Sequence, residues 1–470
     1  MNNIYLSYHS VGIFLVFILV FIQTVYLISK RDKKIPTYWL IGLFSGFSVM
    51  LIGYFFAYSY YHPSGAYHRY FTVFVLFANA NMSGFAYHFP RNDFERESKI
   101  MIPVAFLIAF ISYFHFIYNT YSTEKFYNFD AHFYTFDFGA TTAIFILILF
   151  LWPLIVLIRK TIFYSDYLGR WNKTDNNSGI LISTISRVWI GIVKIFQPIG
   201  KEAGYTRTFI VVILFLIIAA VSNVLNKNGI LPYDYYAIFY SNTVMVICFM
   251  MLMAYINSSG ETTSFMIKLV GISLVTVLLI LGVLSNFTLS LSESDYDNQR
   301  MAEIDAYKEN ILRDDFTNFP EEINYVIREE SGKDITDTSR DYEILFLKEN
   351  ISLDEEQLKK GDEKELNFRI REIYNKLVKK FPLRSPSELK QQAITEYKTT
   401  RQYKNLMNSQ SEMRTRHYRE AGENFLYYDF EYKQYRYEIG YSYLEYRMHT
   451  HKNARFLFYL VIISTILIVR

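Results

Sequence analysis

The clearest pattern along the chain is an alternation that runs into an apolar stretch. Between 425 and 443, Leu426, Tyr428, Phe430 and Tyr432 fall on one side, with Tyr427, Asp429, Glu431 and Lys433 opposite. Beyond Lys433 and Gln434 the alternation returns in Tyr435, Tyr437, Ile439, Tyr441 and Tyr443. Period two with aromatic enrichment predicts a β-hairpin packed on one face and turning at 433–434. Shortly afterwards, residues 456–469 (FLFYLVIISTILIV) are apolar without a break. A strand handed almost directly to a membrane helix is how a folded domain passes a shape change to a bilayer.

Further apolar runs lie at 11–28, 37–60, 70–89, 101–118, 138–158, 207–225, 235–256 and 268–290. Each approaches the roughly 20 residues needed to cross ~30 Å of hydrocarbon. The first run follows an uncharged N-terminus and precedes Lys30, Arg31, Lys33 and Lys34. A signal peptide carries its charge ahead of the apolar region, so this run reads as a retained span with its N-terminus outside. On that orientation the inside loops hold fifteen Lys and Arg residues, and the outside loops only Arg69, Lys125 and Lys227. This positive-inside asymmetry predicts an eight-helix transmembrane domain over 1–290 with a cytoplasmic loop at 161–206. It places 291–454 outside the cytoplasm and makes 455–470 a final helix leading back in.

One segment bears on that topology. Residues 180–199 are apolar enough to suggest another span, which would invert everything downstream. At helical spacing, however, Ser183, Ser186, Arg187, Lys194, Gln197 and Lys201 gather on one face, away from Trp189 and its aliphatic neighbours. A basic amphipathic helix of this kind lies in the membrane interface.

The part after 290 begins as a continuation of the eighth span, with Met301, Ile304 and Ile311 at helical spacing. Ser352 and Glu355 form a capping-box pattern for a short helix that Gly361 would stop. Leu366, Ile370, Ile373 and Leu377 line one stripe of the next helix. Ser385 followed by Pro386 starts a third, and 342–346 reads as a strand. The predicted fold class is a polytopic α-helical membrane protein of about eight plus one transmembrane helices with an inserted α+β extracytoplasmic domain. A membrane-proximal helix, a mixed middle and a terminal hairpin running into a span resemble extracytoplasmic PAS/Cache-like sensors.

Charge changes the picture in one respect. The net charge of +3 conceals 19 basic and 12 acidic residues in 1–290 against 27 and 33 in 291–454. Two different physical objects share the chain, a basic apolar one and an acidic polar one. The dense charge of the second is read as a solvated face. The single cysteine, Cys248, lies in an apolar run and excludes an intramolecular disulfide and a multi-cysteine metal site.

Candidate chemistry is sparse. No phosphate loop, HExxH, GxSxG or dinucleotide glycine pattern is present, so no catalytic residue, metal site or cofactor is expected. The first eight spans carry no ionisable residue in their deeper regions; Asp137 and Asp234 fall at outer ends. That argues against an ion-coupled transporter, which needs a midplane carboxylate or its equivalent. Asn79, Asn81, Asn223 and Asn242 are the polar groups within or near spans, either bonding between helices or lining a small polar pocket, for which Asn79, Asn81 and Asn242 are the candidates. His62, His68, His115 and His132 cluster near the outer rim without metal-ligand spacing. At the hairpin–helix joint, Tyr437, Tyr441, Tyr443, Tyr446, Arg447 and His449 are the candidate transmission residues.

Two passages look familiar. Residues 66–73 (AYHRYFTV) with 87–91 (YHFPR), and 437–447 (YEIGYSYLEYR) followed by His449 and a span, resemble the N-terminal multi-pass sensor modules of bacterial signalling proteins. In that class the module precedes a cytoplasmic effector, commonly a SpoIIE-like serine/threonine phosphatase or a nucleotide cyclase. A homodimer in a bacterial inner membrane is expected, with an unidentified extracytoplasmic ligand and an effector in cis or on a partner protein; the resemblance itself does not imply the ligand. No nucleic acid is expected as a partner. The stretch 456–469 covers only ~21 Å as a helix, so the chain is expected to continue past Arg470. A transporter or channel with an accessory extracytoplasmic domain is the alternative.

Overall fold

The structure, a computed structural model, describes residues 3–129, 131–136, 140–165, 195–227, 230–231, 233–258, 265–331, 336, 340–400, 403–404 and 416–469. Most of the expected in-plane helix (180–194), Asp137 and Arg470 lie outside the described residues. The chain divides into two units. One comprises Met1–Val224, Tyr233–Asn286 and Ala454–Arg470, the other Leu225–Pro232 and Phe287–Asn453.

The first unit is helical: α1 (Tyr8–Ser29), α2 (Ile35–Ser59), α3 (Phe74–His88), α4 (Glu95–Tyr121), α5 (Ala140–Tyr164), α6 (Lys201–Lys227) and α7 (Tyr233–Ser258). It also takes the apolar parts of α8 (Phe265–Leu312) and of α11 (Tyr443–Val469). Among the described residues, eight helices are long and apolar enough to cross a membrane. The protein is therefore a multi-pass membrane protein. Sequence sets the helix starts directly. Ser7 and Ser10 cap α1 reciprocally, each side chain accepting the other's backbone N–H, and Pro36 occupies the first turn of α2, where no N–H is needed.

The run at 70–89 takes a different form from its neighbours. It is shared between a 3₁₀ segment, Pro63–Val73, and the 15-residue α3, which alone spans only ~22 Å. Small side chains let α3 press into the bundle. A Cβ on Gly46 would lie 3.0 Å from that of Ala78, and one on Gly84 would strike the Trp39 ring at 2.4 Å. Close approach of this kind is how helices associate where there is no water to drive them together. Of the first familiar passage, 66–73 lies in the 3₁₀ segment and 87–91 begins in the last turn of α3.

Lys160 of α5 holds that end in place. Its ammonium is fully buried and donates to the carbonyl oxygens of Tyr87 (2.5 Å), Phe89 (2.9 Å) and Arg91 (2.6 Å). A cation at a helix C-terminus meets both the dipole and the carbonyls that lack helical partners. Alongside, Tyr87 donates to Glu97 (2.7 Å), and Arg159 donates to the same carboxylate (2.8 Å).

The second unit is built on a five-stranded antiparallel sheet. Its strands are β3 (Ile323–Glu330), β4 (Glu343–Leu347), β5 (His417–Ala421), β6 (Glu423–Tyr432) and β7 (Tyr435–Ser442), in the order β4-β3-β7-β6-β5. The first unit carries a separate two-stranded hairpin, β1 (Phe126–Asn128) with β2 (Phe133–Thr135). The hairpin expected at 425–443 is β6–β7, paired from Phe425↔Ser442 to Tyr432↔Tyr435, with Lys433 at φ 58 in the turn.

Residues 287–312 of α8 cover one face of the sheet. Lys308 stands over the Phe430 ring and Arg300 over Tyr441. Helix α9 (Glu355–Lys380) covers the other, where Leu353 and Leu358 join Tyr325, Ile327, Ala421 and Phe425. The expected stripe Leu366, Ile370 and Leu377 packs with Leu389, Ala393 and Tyr397 of α10 (Pro386–Lys398).

Two expectations about α9 require correction. Asp354, not Ser352, caps it, accepting from the Gln357 N–H at 2.7 Å. Gly361 does not end it. A Cβ there would meet the Glu420 carbonyl oxygen at 2.4 Å, so the glycine serves close approach of β5 to the helix.

Replacing Lys160 by Met should orphan the buried carbonyls of Tyr87 and Phe89, at about 1–3 kcal/mol for each group left unsatisfied, and remove the bond to the more exposed Arg91 carbonyl. The expected outcome is a clearly lowered unfolding temperature of the purified chain in detergent, where a substitution at exposed Lys99 leaves it unchanged.

Candidate functional site

Two places gather polar groups, one in each unit.

In the first unit a cavity of about 170 Å³ opens among α1, α2, α6, α7 and α8. Its walls include Tyr54, Tyr58, Tyr233, Tyr236 and Tyr240, with His9, Asn223, Ser241 and Asn286. Helical spacing explains the convergence. Residues 54 and 58 share one face of α2, and 233, 236 and 240 share one face of α7. Tyr58 and Tyr233 join hydroxyl to hydroxyl at 2.7 Å, and the His9 ring meets Tyr233 edge-on at 4.7 Å.

The asparagines expected to form a polar pocket are dispersed. Asn81 fills the α2–α3 contact, where a Cβ on Gly42 would collide with its Oδ1, and its amide donates to the Phe77 carbonyl at 2.8 Å. Asn79 is buried on α3, and its carbonyl oxygen accepts from Ser83. Asn242 packs against Gly282. Asn223 and Asn286 are the asparagines at the cavity. The tyrosine spacing in α2 and α7 was the available signal, and it is easily taken for an interfacial aromatic belt.

In the second unit, the face of the sheet beneath α9 holds a buried ionic layer. Arg419 donates to Glu438 at 2.8 Å, both side chains 2% exposed, and Tyr325 donates to the other Glu438 oxygen at 2.6 Å. Arg436 pairs with Asp429 and reaches Glu329 (3.4 Å), which also meets Arg340 (3.3 Å). Asp362 of α9 closes the layer, taking Arg340 at 3.4 Å and Arg419 at 3.6 Å. These charges were expected to form a solvated face. Their burial is the correction, and its cause is α9 lying over the polar side of the alternating strands.

Such pairs add little net stability, because desolvation offsets the attraction, yet removing one partner costs about 3–5 kcal/mol. Burial pushes the Glu438 carboxyl above its ordinary value against the pull of Arg419. Burial also lowers His417 below 6.5, opposed by Asp429 at 3.6 Å.

The transmission candidates lie on the opposite face and at the strand–helix joint. Tyr437 stacks on Phe430 at 5.1 Å, and Tyr441 packs edge-on against Tyr428. Tyr443, Tyr446 and Arg447 are buried. Tyr446 donates to Glu293 (2.7 Å) and Tyr428 to Asp297 (2.6 Å), two carboxylates one turn apart on α8. Between them Arg416 reaches Glu293 at 3.4 Å and Asp297 at 3.3 Å, with its guanidinium 4.5 Å from the Tyr446 ring. His449 contacts Ser292 at 3.4 Å and the Tyr296 ring at 5.2 Å. Sequence reading missed Arg416, Glu293 and Asp297. The i, i+4 acidic pair on α8 was the signal for two of them. Among the described residues no group of three His, Cys, Asp or Glu side chains is placed to hold a metal ion.

The lowered value of His417 fixes the sign of a pH effect. The unfolded chain binds the proton more readily, so its contribution to stability is full above about 6.5 and is lost as pH falls. We expect the stability difference between wild type and His417→Gln, followed by protease resistance of the 291–453 region in the detergent-solubilised chain, to shrink from pH 7.5 to about pH 5.5. A difference that stays constant would mean that His417 does not titrate in this range. Comparison with protein families, with curated proteins and with solved structures finds no match for this chain.

Proposed function

We propose that the chain is a membrane sensor whose second unit is a PAS/Cache-like extracytoplasmic domain. It passes a ligand or membrane signal through α11 to a cytoplasmic effector, in cis or on a partner protein. One observation supports this reading above the others: β7 ends at Ser442 and α11 begins at Tyr443, with no loop between. Because β7 is hydrogen-bonded along both edges, to β3 and β6, it moves only with the sheet. On this reading a rearrangement of the sheet would act on the first turn of α11 without an intervening loop.

The architecture is similar to that of PAS-like domains, with first and last strands adjacent at the centre and helices inserted between the second and third. A SpoIIE-like phosphatase or a nucleotide cyclase as effector rests on the two familiar passages. Homodimerisation is supported by Phe456, Tyr459, Ile463 and Ile466, which are exposed along α11 at heptad spacing. A transporter with an accessory domain is less well supported, since no described residue lining the cavity is acidic.

Two experiments test the proposal. In a Cys248→Ala background, exposed Ser387→Cys should react with a membrane-impermeant thiol reagent in intact cells whose outer barrier, if any, is opened. Labelling only after lysis would refute the extracytoplasmic placement. In the same background, Ile463→Cys should cross-link between copies in membranes, and the rate should change when Gly440→Ala disturbs the sheet. A Cβ at 440 would lie 2.1 Å from the Tyr325 ring, so the disturbance is certain. Two glycines inserted after Met448 should abolish that change. A rate indifferent to Gly440→Ala, or equally responsive with the insertion, would overturn the proposed transmission.

A further inference from the structure

We propose that the tyrosine-walled cavity of the first unit is a binding site for a neutral, electron-poor ring bearing carbonyl acceptors, a quinone head group. The inference rests on the sensor reading only for its purpose, because binding is measured without any signalling output.

Size comes first. A cavity of about 170 Å³ is close to the ~150 Å³ apolar cavity that accommodates benzene, so it admits one substituted six-membered ring and little more. Depth comes next. The lining of α7 runs from Tyr233 to Ser241, about 12 Å along the helix. The cavity therefore extends into the bundle over about two turns of α7.

The chemistry of the walls selects the ring. Tyr54, Tyr236 and Tyr240 make no hydroxyl hydrogen bond among the described residues, and neither does the Asn223 side-chain amide. Phenol and amide hydrogens lining a cavity can donate to a guest that enters it, and phenols donate well to carbonyl oxygen. Their electron-rich faces favour an electron-poor ring, by the same quadrupole argument that governs aromatic pairs.

Aromatic cages also take quaternary ammonium ions, so that class must be weighed. No described residue lining the cavity is acidic. With no carboxylate in the walls to pair with it, a buried cation is costly to desolvate, which favours a neutral guest.

The test uses the full chain in lipid nanodiscs and a short-chain azidobenzoquinone as photoaffinity probe. Saturable labelling of peptides from 233–258 or 50–59 is expected, suppressed by excess tetramethylbenzoquinone and not by choline or octanol. Tyr236→Phe with Tyr240→Phe keeps the rings and removes two donors, and should weaken labelling about tenfold. Gly12→Leu should abolish it by filling the cavity, since a Cβ there already lies 3.8 Å from Ser241 Oγ. Both variants are compared at equal content of monodisperse protein, and the Phe pair, which preserves packing, guards against loss by misfolding. Labelling that does not saturate, or that both variants retain, overturns the proposal. Displacement by choline would make the site a cation cage, and displacement by octanol an undiscriminating void; either refutes the quinone assignment. If labelling behaves as expected while cross-linking at Ile463→Cys ignores the sheet, the site stands and the sensor reading falls.

Discussion

Strand β7 is the constraint on which the second unit depends. It is paired on both edges, it sends alternate side chains to opposite faces of the sheet, and it continues into α11 without a linker. Each property has a separate cause. Pairing on both sides follows from the antiparallel order β3-β7-β6. Alternation places Tyr437, Ile439 and Tyr441 towards α8 and Arg436 and Glu438 beneath α9. Direct continuation is seen in the bounds themselves, Ser442 closing the strand and Tyr443 opening the helix. A register slip of one residue would bring the ionic layer out of its pairing and drive tyrosines into it, so the register is strongly specified.

The two faces of β7 do different physical work. The α8 side is held by phenols bonded to carboxylates one turn apart, Tyr446 to Glu293 and Tyr428 to Asp297, with Arg416 between them. These bonds depend on direction and distance. The α9 side is a closed set of buried charges in which every arginine meets a carboxylate. Such a layer resists partial opening, because any charge left alone in low dielectric is costly. The two faces of one strand are thus held by different interactions, ion pairs beneath α9 and phenol–carboxylate bonds towards α8.

How much of this was legible in the sequence depended on the range of the interaction. The β6–β7 hairpin, its turn at Lys433, the stripe of α9 and the Ser385 cap of α10 are local, and periodicity or capping chemistry disclosed each of them. The membrane spans were legible for the same reason, except at 70–89, where a 3₁₀ segment and a 15-residue helix take the place of the expected span. The burial of Arg340, Arg419 and Arg436 was not, because a charged residue on the polar side of an alternating strand looks the same whether water or a helix lies above it. Gly361 illustrates the point from the other direction. Read locally, it stops a helix; in the fold it admits the Glu420 carbonyl and the helix runs on.

The tyrosines of the first unit were visible in the sequence, but their convergence was not. Tyr54 and Tyr58 on one helix and Tyr233, Tyr236 and Tyr240 on another are separated by more than 170 residues, and nothing in either segment refers to the other. Aromatic residues near span ends ordinarily anchor a helix at the lipid interface, with their hydroxyls in the headgroup layer. Here they turn inward around a space as large as a ring. An interfacial tyrosine satisfies its hydroxyl with water, whereas a tyrosine facing an interior cavity depends on what occupies that cavity. That difference turns a compositional bias common among membrane proteins into a question about one ligand, and hydroxyl-deleting substitutions that keep the ring are the changes that separate the two roles.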